Sequence, residues 1–155
     1  MKKLFRMTLA ALLLFTAAGC QSDEDPCTPF LDPTYGNMAG TWRLSAWNGV
    51  EQGDSPYMYI IFDRKEQAFS MYQNHDSGKS RYITGSFELV RDKNEHFVIK
   101  GIYDHASGFW SHDYFITAMT ASQMTWIATD NPSDVSVYTR CDAVPEEIIN
   151  GTRAL

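Results

Sequence analysis

The sequence lacks the features of several large protein classes. No apolar stretch approaches the roughly 20 residues that a permanent membrane-spanning helix needs. There is no nucleophile elbow, glycine-rich phosphate loop, Cys-x-x-Cys or His-Glu-x-x-His motif. Lysine and arginine total 13 against 19 acidic residues, and the basic residues are scattered singly. We therefore predict no enzymatic activity, no cofactor, no metal and no nucleic-acid partner.

The first 20 residues have the pattern of an export signal. Three basic residues precede an apolar run from Leu9 to Phe15, and the sequence Ala-Ala-Gly-Cys follows at 17–20. This ending resembles a bacterial lipobox, whose cysteine becomes acylated, for example with palmitate, and starts the mature chain. We predict a lipoprotein signal peptide over residues 1–19 and a lipid anchor at Cys20. The alternative is a plain secretory signal whose cleavage site contains a cysteine.

An acidic segment follows the predicted anchor. Residues 21–26 contain three acidic side chains, a proline and no apolar residue, so they cannot bury enough surface to offset the entropy of ordering. We predict the lipidated cysteine and a flexible acidic tether over residues 20–38. An acidic cluster after a lipidated cysteine also resembles the surface-export signal of Bacteroidetes lipoproteins, which implies an outer-membrane location at the cell surface. Alternatively, the segment is only a linker.

Two cysteines remain after Cys20, and they bracket the rest of the chain. Cys27 and Cys141 would lie in an exported, oxidising setting, where two thiols in a small domain usually pair. We predict a disulfide between them. The alternatives are two free thiols or pairing with another chain.

Short strands fill the chain from Gly40 to Asp142. Aromatic and β-branched runs alternate with turn residues at intervals of about 8 to 12 residues, and no helical periodicity is present. Hairpin-length connections favour antiparallel pairing of successive strands. We predict an all-β, eight-stranded antiparallel up-and-down barrel over residues 39–145, followed by a C-terminal tail over 146–155 with one short helical turn. The eight predicted strands are 41–48, 57–63, 68–73, 81–90, 96–103, 113–120, 123–129 and 135–140.

Alternation within these strands predicts which residues point inward. The predicted inward set is Trp42, Leu44, Ala46, Tyr59, Ile61, Phe87, Leu89, Tyr114, Ile116, Met124, Trp126, Ala128, Val135 and Val137. The opposite faces are also strongly apolar, for example at Ile60 and Phe62. Either the second face meets a helix or a partner, or the register shifts at a bulge.

The first strand carries a family resemblance. Gly40-Thr41-Trp42 resembles the Gly-x-Trp signature of lipocalins and the wider calycins, and the order of the later strands is similar to the lipocalin-like domain of Bacteroidetes lipoproteins. The resemblance covers roughly residues 39–145. It implies that Gly40 permits a tight entry, that Trp42 plugs the closed barrel end, and that Arg140 packs over Trp42 through a cation-π contact.

Small eight-stranded barrels either fill their interior with side chains or hold one ligand. The candidate ligand-binding residues are Tyr59, Tyr114, Met124, Trp126, Phe109 and Trp110. Phe109 and Trp110 are adjacent in a glycine-containing loop, so one is expected to cap the barrel mouth and the other to be exposed. Alternatively, both fold back onto the rim.

Two histidines flank the same loop. His105 and His112, with a neighbouring carboxylate, have the composition of a mononuclear metal site. We favour the alternative of solvated loop histidines, because the connection is rich in polar residues.

Two functions follow from these patterns. The first is a surface lipoprotein whose barrel binds a small, partly apolar ligand. The alternative is a barrel with a filled interior that acts as a protein interaction, inhibitor or accessory module of a cell-envelope complex. The volume of the barrel interior distinguishes them.

Overall fold

The structure, a computed structural model, describes residues 28–75, 78–105, 108–151 and 153–154. Two short helices, α1 (Tyr35–Met38) and α2 (Glu146–Gly151), flank the barrel in sequence. The strands are β1 (Gly40–Trp47), β2 (Val50–Glu51), β3 (Met58–Asp63), β4 (Ala68–Gln73), β5 (Arg81–Arg91), β6 (Phe97–Tyr103), β7 (Tyr114–Met119), β8 (Gln123–Ala128), β9 (Val135–Cys141) and β10 (Arg153–Ala154). Among these residues, no helix is long and apolar enough to cross a membrane.

Eight of these strands close into a barrel. From β3 onward each pairs antiparallel with the next strand along the chain as far as β9, and β1 pairs with both β3 and β9. This pairing confirms the predicted eight-stranded antiparallel up-and-down barrel. The eight observed strands also match the predicted ones to within one residue at each end. The short strand β2 pairs antiparallel with β1, and the short strand β10 pairs parallel with β5.

Aspartates at strand ends explain two of the hairpins. The Asp63 carboxylate accepts backbone hydrogen bonds from Lys65 and Glu66, at 2.7 and 3.1 Å. The Asp92 carboxylate does the same for Asn94 and His96, both at 2.8 Å. These local bonds satisfy backbone donors that the turn leaves unpaired, so the chain reverses where the sequence changes from apolar to polar.

The register prediction is correct for β8 and wrong for β3 and β9. Met124 and Trp126 of β8 point inward as predicted. In β3 the inward residues are Ile60 and Phe62, because Ile60 lies opposite the buried Trp42. Directly opposed residues in an antiparallel pair share a face, so the neighbouring strand decides between two apolar faces.

A bulge in β1 explains the error at Ala46, and the pairing of β9 with Leu44 and with β8 explains the error in β9. Leu44 pairs with Tyr138, but after a register shift Ala46 pairs with Val137. Tyr138 and Ser136 therefore face the interior, and Val135, Val137 and Ala46 were wrongly predicted to do so. The bulge adds a residue to one strand only, which reverses the alternation beyond it.

The C-terminal segment covers the outer face of β3. Tyr57, Tyr59 and Val144 form a second buried cluster, with Ile61 and Ile148 of α2 packed against it. One predicted reason for two-faced apolarity, a covering helix, thus applies here. Tyr59 and Ile61 are buried outside the barrel and not in its interior.

Part of the segment predicted as tether is folded. Met38 is completely buried, the Leu31 N–H donates to the carbonyl of Met119 at 2.8 Å, and the Tyr35 hydroxyl accepts from the Leu89 N–H at 3.1 Å. The folded domain therefore includes residues before 39, because their apolar side chains cover one end of the barrel. Residues 20–27 lie outside the described residues.

The same end is closed by Trp42 and Arg140. The Trp42 indole N–H donates to the carbonyl of Met38 at 2.8 Å, and the Arg140 guanidinium lies 4.1 Å from the Trp42 ring centroid. Arg140 also donates to the carbonyls of Asn37 and Ala39, both at 2.6 Å. Gly40 has a φ of +111°, and a Cβ there would lie 2.8 Å from the guanidinium. These contacts are those that the family resemblance implies for the three residues.

The predicted disulfide remains a prediction. Within the described part of the chain, Cys141 is a free thiol, half-buried, and burial raises its pKa. Its predicted partner, Cys27, lies outside the described residues.

Candidate functional site

A cavity of about 460 Å³ lies at the barrel end opposite Trp42. Its lining residues on strands come mostly from the later positions of β1, β4, β6 and β8 and from the earlier positions of β3, β5, β7 and β9, and the rest come from the adjoining loops. Because successive strands run antiparallel, those positions meet at a single end of the barrel. The cavity is therefore the mouth of the barrel, and Trp42 marks its closed base.

The cavity has an aromatic wall, an aliphatic wall and a polar rim. The aromatic wall consists of Trp110, Tyr114, Trp126 and Tyr138. The aliphatic wall consists of Leu44, Met58, Met71 and Ile83. The rim consists of Trp47, Gln73, His75, Arg81, Tyr103, His105, Ser111, His112, Asp134 and Ser136.

The rings of the aromatic wall form one cluster around Trp126. Its ring centroid lies 4.6 Å from Tyr138, 5.5 Å from Tyr114 and 5.8 Å from Trp110. Interacting rings at these separations add to the energy of simple burial. Displacing any one of these rings would therefore remove its contacts with its neighbours and destabilise the wall.

Trp110 owes its position to a glycine. It follows β6 in a loop, its N–H donates to the carbonyl of Gly101 at 2.9 Å, and its indole packs directly on the Cα of Gly101. Any side chain at 101 would overlap that ring. The ring also contacts Phe69 edge-on, at 5.1 Å between centroids.

Several polar hydrogens are available near this wall. The Tyr138 hydroxyl donates only weakly, to the thioether sulfur of Met58 at 3.7 Å. Burial, with Asp134 adding to it, raises the pKa of the Tyr114 hydroxyl, and burial likewise raises the pKa of Tyr138. Both phenols therefore stay protonated. In the described structure the buried indole N–H groups of Trp110 and Trp126 have no hydrogen-bond partner.

Trp47 crosses the rim of the mouth. Its indole N–H donates to the Asp134 carboxylate at 2.7 Å, and its ring meets His75 edge-on at 5.6 Å. Three separate connections thus meet above the cavity, although Trp47 itself is 42% exposed.

The two loop histidines do not form a metal centre with their neighbours. His112 contacts the Asp130 carboxylate at 2.7 Å, whereas Asp113 pairs with Lys100 at 3.7 Å. His105 packs beside Tyr103. No group of three or more metal-ligating side chains occurs among the residues described.

The predicted ligand-binding residues fall in four places. Tyr114, Trp126 and Trp110 line the cavity, and Trp110 is almost fully buried. Met124 is completely buried below the cavity, and Phe109 is 72% exposed beside it. Tyr59 does not line the cavity, because it lies on the outer face of β3.

Sequence reasoning missed Tyr138, Tyr103 and Trp47 as cavity residues. Trp47 lies beyond the bulge of β1 and pairs with Ser136, which turns it toward the mouth. The tyrosine in the closing strand and the tryptophan at the end of β1 are visible in the sequence. The direction of Trp47 depends on the bulge, and that of Tyr138 depends on its pairing with Leu44 and Met124. Only strand pairing supplies that information.

This architecture is that of a calyx-shaped barrel, with a base closed by Trp42 and an aromatic cavity at its mouth. A family profile described as a lipocalin-like domain matches residues 38–126, which is more than half of the chain. The protein therefore belongs to the lipocalin-like domain family. Folds of this kind are generally binding folds rather than catalytic ones.

Two solved structures are similar to this one. An NMR structure of a protein from Bacteroides uniformis ATCC 8492 superposes with a TM-score of 0.52 at 14% identity, covering 75% of this chain and 97% of that one. A crystal structure of a lipocalin-like protein from the same organism gives a TM-score of 0.49 at 14% identity, covering 68% and 100%. At this identity the first likeness shows the fold alone. No curated protein matches the sequence significantly.

Proposed function

We propose that this protein is an outer-membrane lipoprotein, exposed at the cell surface, whose barrel binds a small, partly apolar ligand. The cavity at the mouth of the barrel carries the proposal. Its volume of about 460 Å³ falls within the range of roughly 300 to 1,000 Å³ that is typical of small-molecule sites. A barrel with a completely filled interior would offer no such space.

The composition of the cavity supports a ligand with mixed character. Aromatic and aliphatic walls favour an apolar body, since burying apolar surface is the main source of affinity in such sites. The hydroxyls of Tyr114 and Tyr138 and the polar rim offer hydrogen bonds to one end of the ligand. In such sites a small number of polar groups fixes the orientation of the ligand, and the apolar walls supply most of the affinity.

Blocking the cavity is the direct test of binding. Ser136 lines the cavity beside its cross-strand partner Trp126. Ser136→Phe therefore places an aromatic ring in the space that the ligand would occupy. We expect this variant to bind N-phenylnaphthylamine, an uncharged fluorescent probe, at least about tenfold more weakly than the wild type, which should bind it at micromolar strength. Fluorescence titration measures both affinities.

The neighbouring residue provides a matched control. Val137 lies on the outer face of the same strand, so Val137→Phe introduces the same ring without entering the cavity. Its affinity for the probe should equal that of the wild type, and circular dichroism should show that both variants are folded. A wild-type protein that binds no apolar probe, or equal binding by all three proteins, contradicts the cavity as the binding site.

The lipid anchor has its own test. Cys20→Ala removes the thiol to which the acyl chains would attach, and two or three acyl chains are what holds such a protein durably on a membrane. We expect the variant to lose labelling by palmitate and to appear in the soluble fraction, whereas Cys27→Ala should keep both label and membrane fraction. Unchanged partition of Cys20→Ala would rule out this anchor. Cleavage of the wild type by external protease on intact cells tests its surface exposure.

A protein-interaction function is the second candidate. It is favoured by Phe109 and Ile102, which are paired across an isolated bridge and are both exposed, at 72% and 45%. Exposed aromatic side chains are common anchors in interfaces. This candidate takes precedence if the wild-type barrel binds no apolar probe.

A further inference from the structure

The two walls of the cavity have different chemistry. Neighbouring strands β7, β8 and β9 supply the rings of Tyr114, Trp126 and Tyr138, and Trp110 extends this wall. The facing strands β1, β3, β4 and β5 supply one aliphatic or methionine side chain each, at Leu44, Met58, Met71 and Ile83. A ligand in the cavity therefore has rings on one side and flexible, polarisable groups on the other.

The aromatic wall favours an incoming ring over an aliphatic chain. The planes of Trp110 and Tyr114 are tilted from that of Trp126 by 31° and 37°, so the three rings already interact in offset or tilted geometry. A further ring extends this cluster with the same quadrupole interactions, which a saturated chain cannot make.

The wall is also held in place. Trp110 packs on Gly101 and against Phe69, and Trp126 has four aromatic neighbours. A fixed wall cannot follow the many shapes of a flexible chain, and a chain would lose rotational freedom on binding that a rigid ring does not have. The methionines opposite can adjust to the thickness of a flat ligand.

One buried hydroxyl, that of Tyr138, donates to a weak acceptor, and the Ser136 side chain also interacts with it. Tyr138 donates to a thioether sulfur, which is a poor acceptor, at 3.7 Å. A ligand oxygen or nitrogen that replaced the sulfur would form a stronger hydrogen bond. Because the Tyr138 phenol stays protonated, it can donate a hydrogen bond to an acceptor atom on the ligand.

Electrostatics argue against an anionic ligand. Asp134 lies on the rim, and Asp130 contacts the rim residue His112, so two carboxylates lie near the aromatic wall. Arg81 is the only arginine or lysine among the rim residues described, beside three histidines, and it already has an interaction within the protein.

We propose that the cavity is specific for planar, uncharged aromatic ligands that carry one hydrogen-bond acceptor, in preference to flexible aliphatic ligands and to aromatic anions. This specificity rests on the proposed ligand-binding function and defines its ligand class. Trp126 and Tyr114 contact the ring system, and Tyr138 donates to the acceptor.

Three probes test the class by isothermal titration calorimetry on the intact barrel. Acetylnaphthalene is planar with one carbonyl, the straight-chain methyl ketone of equal carbon number has the same acceptor on a flexible chain, and naphthoate adds a charge. We expect acetylnaphthalene to bind about tenfold more tightly than either of the others. The straight-chain ketone is the more hydrophobic of the two ketones. If affinity depended only on the burial of apolar surface, the straight-chain ketone would bind more tightly than acetylnaphthalene.

Two variants assign the contacts. Tyr138→Phe should weaken acetylnaphthalene about fivefold and leave ethylnaphthalene, which has no acceptor, unchanged. Tyr59→Phe is the matched control, since it removes a tyrosine hydroxyl outside the barrel, and should change neither affinity. Tyr114→Leu should bring the affinities of acetylnaphthalene and the straight-chain ketone closer together.

The possible outcomes distinguish a failure of the proposed specificity from a failure of the proposed ligand-binding function. If the straight-chain ketone or naphthoate binds as tightly as acetylnaphthalene, the specificity is overturned while ligand binding stands. If Tyr138→Phe weakens both naphthalenes equally, the role of the hydroxyl is overturned. If neither these probes nor N-phenylnaphthylamine bind, the binding function itself fails.

Discussion

Trp42→Ala should lower the free energy of unfolding by about 3 to 5 kcal/mol, the usual cost of removing a large buried aromatic side chain. Trp42 is fully buried at the base of the barrel, its indole N–H donates to Met38, and the Arg140 guanidinium covers its ring. The substitution removes the packing, the hydrogen bond and the cation-π contact together. It also leaves the carbonyl of Met38 without that donor. Urea denaturation followed by circular dichroism measures the change.

The same strand offers a matched control. Trp47 lies at the other end of β1 and is 42% exposed. Trp47→Ala should therefore cost about 1 kcal/mol or less in stability, even though it opens the mouth of the cavity. Equal losses for the two variants would show that Trp42 does not act as the structural plug.

Gly101→Ala is expected to destabilise the barrel strongly, although it adds only a methyl group. The added Cβ would overlap the indole of Trp110, which is almost fully buried and confined by Phe69 and Trp126. The ring must then leave its place in the wall. We expect a loss of about 2 to 4 kcal/mol from overpacking and lost burial, together with loss of probe binding. Thermal unfolding and fluorescence titration report the two effects.

Gly53 is the control for the glycine substitution. Nothing lies within 4 Å of a Cβ built at Gly53, so Gly53→Ala should leave stability unchanged or raise it slightly by restricting the unfolded chain. If Gly101→Ala unfolded at the same temperature as the wild type and bound the probe normally, Trp110 would not depend on that glycine.

The order of the strands was predictable from the sequence because each strand is bounded by turn residues. Aspartates such as Asp63 and Asp92 lie where the chain reverses, and they bond to backbone groups only a few residues away. Such signals are local, so they survive in the sequence. The connections are short, which leaves antiparallel pairing of successive strands as the simple topology.

The direction of the side chains was predictable only where one face of a strand is clearly polar. In β8 the apolar residues alternate with polar ones, and the prediction for Met124 and Trp126 is correct. In β3 both faces are apolar, because one packs inside the barrel and the other lies under the C-terminal helix. The hydrophobic pattern alone cannot distinguish these two burials.

The candidate site shows the same division. The aromatic residues that would build a binding cavity are visible in the sequence, and Tyr114, Trp126 and Trp110 were identified from it. The aromatic wall also needs Tyr138, whose direction follows from its pairing with Leu44 and Met124, and it needs Gly101, on which the Trp110 indole packs. Neither the strand pairing nor the ring that packs on a glycine can be read from local composition.

By itself, the sequence determined the number and order of the strands, the family and the pattern of the export signal, because each depends on residues close together in the chain. The tertiary structure alone decided which face of β3 and β9 turns inward and that a cavity of about 460 Å³ remains at the mouth. The physical reason is that facing and volume are properties of pairs of strands. They are set by which residues oppose each other across the barrel, and these lie far apart in the sequence.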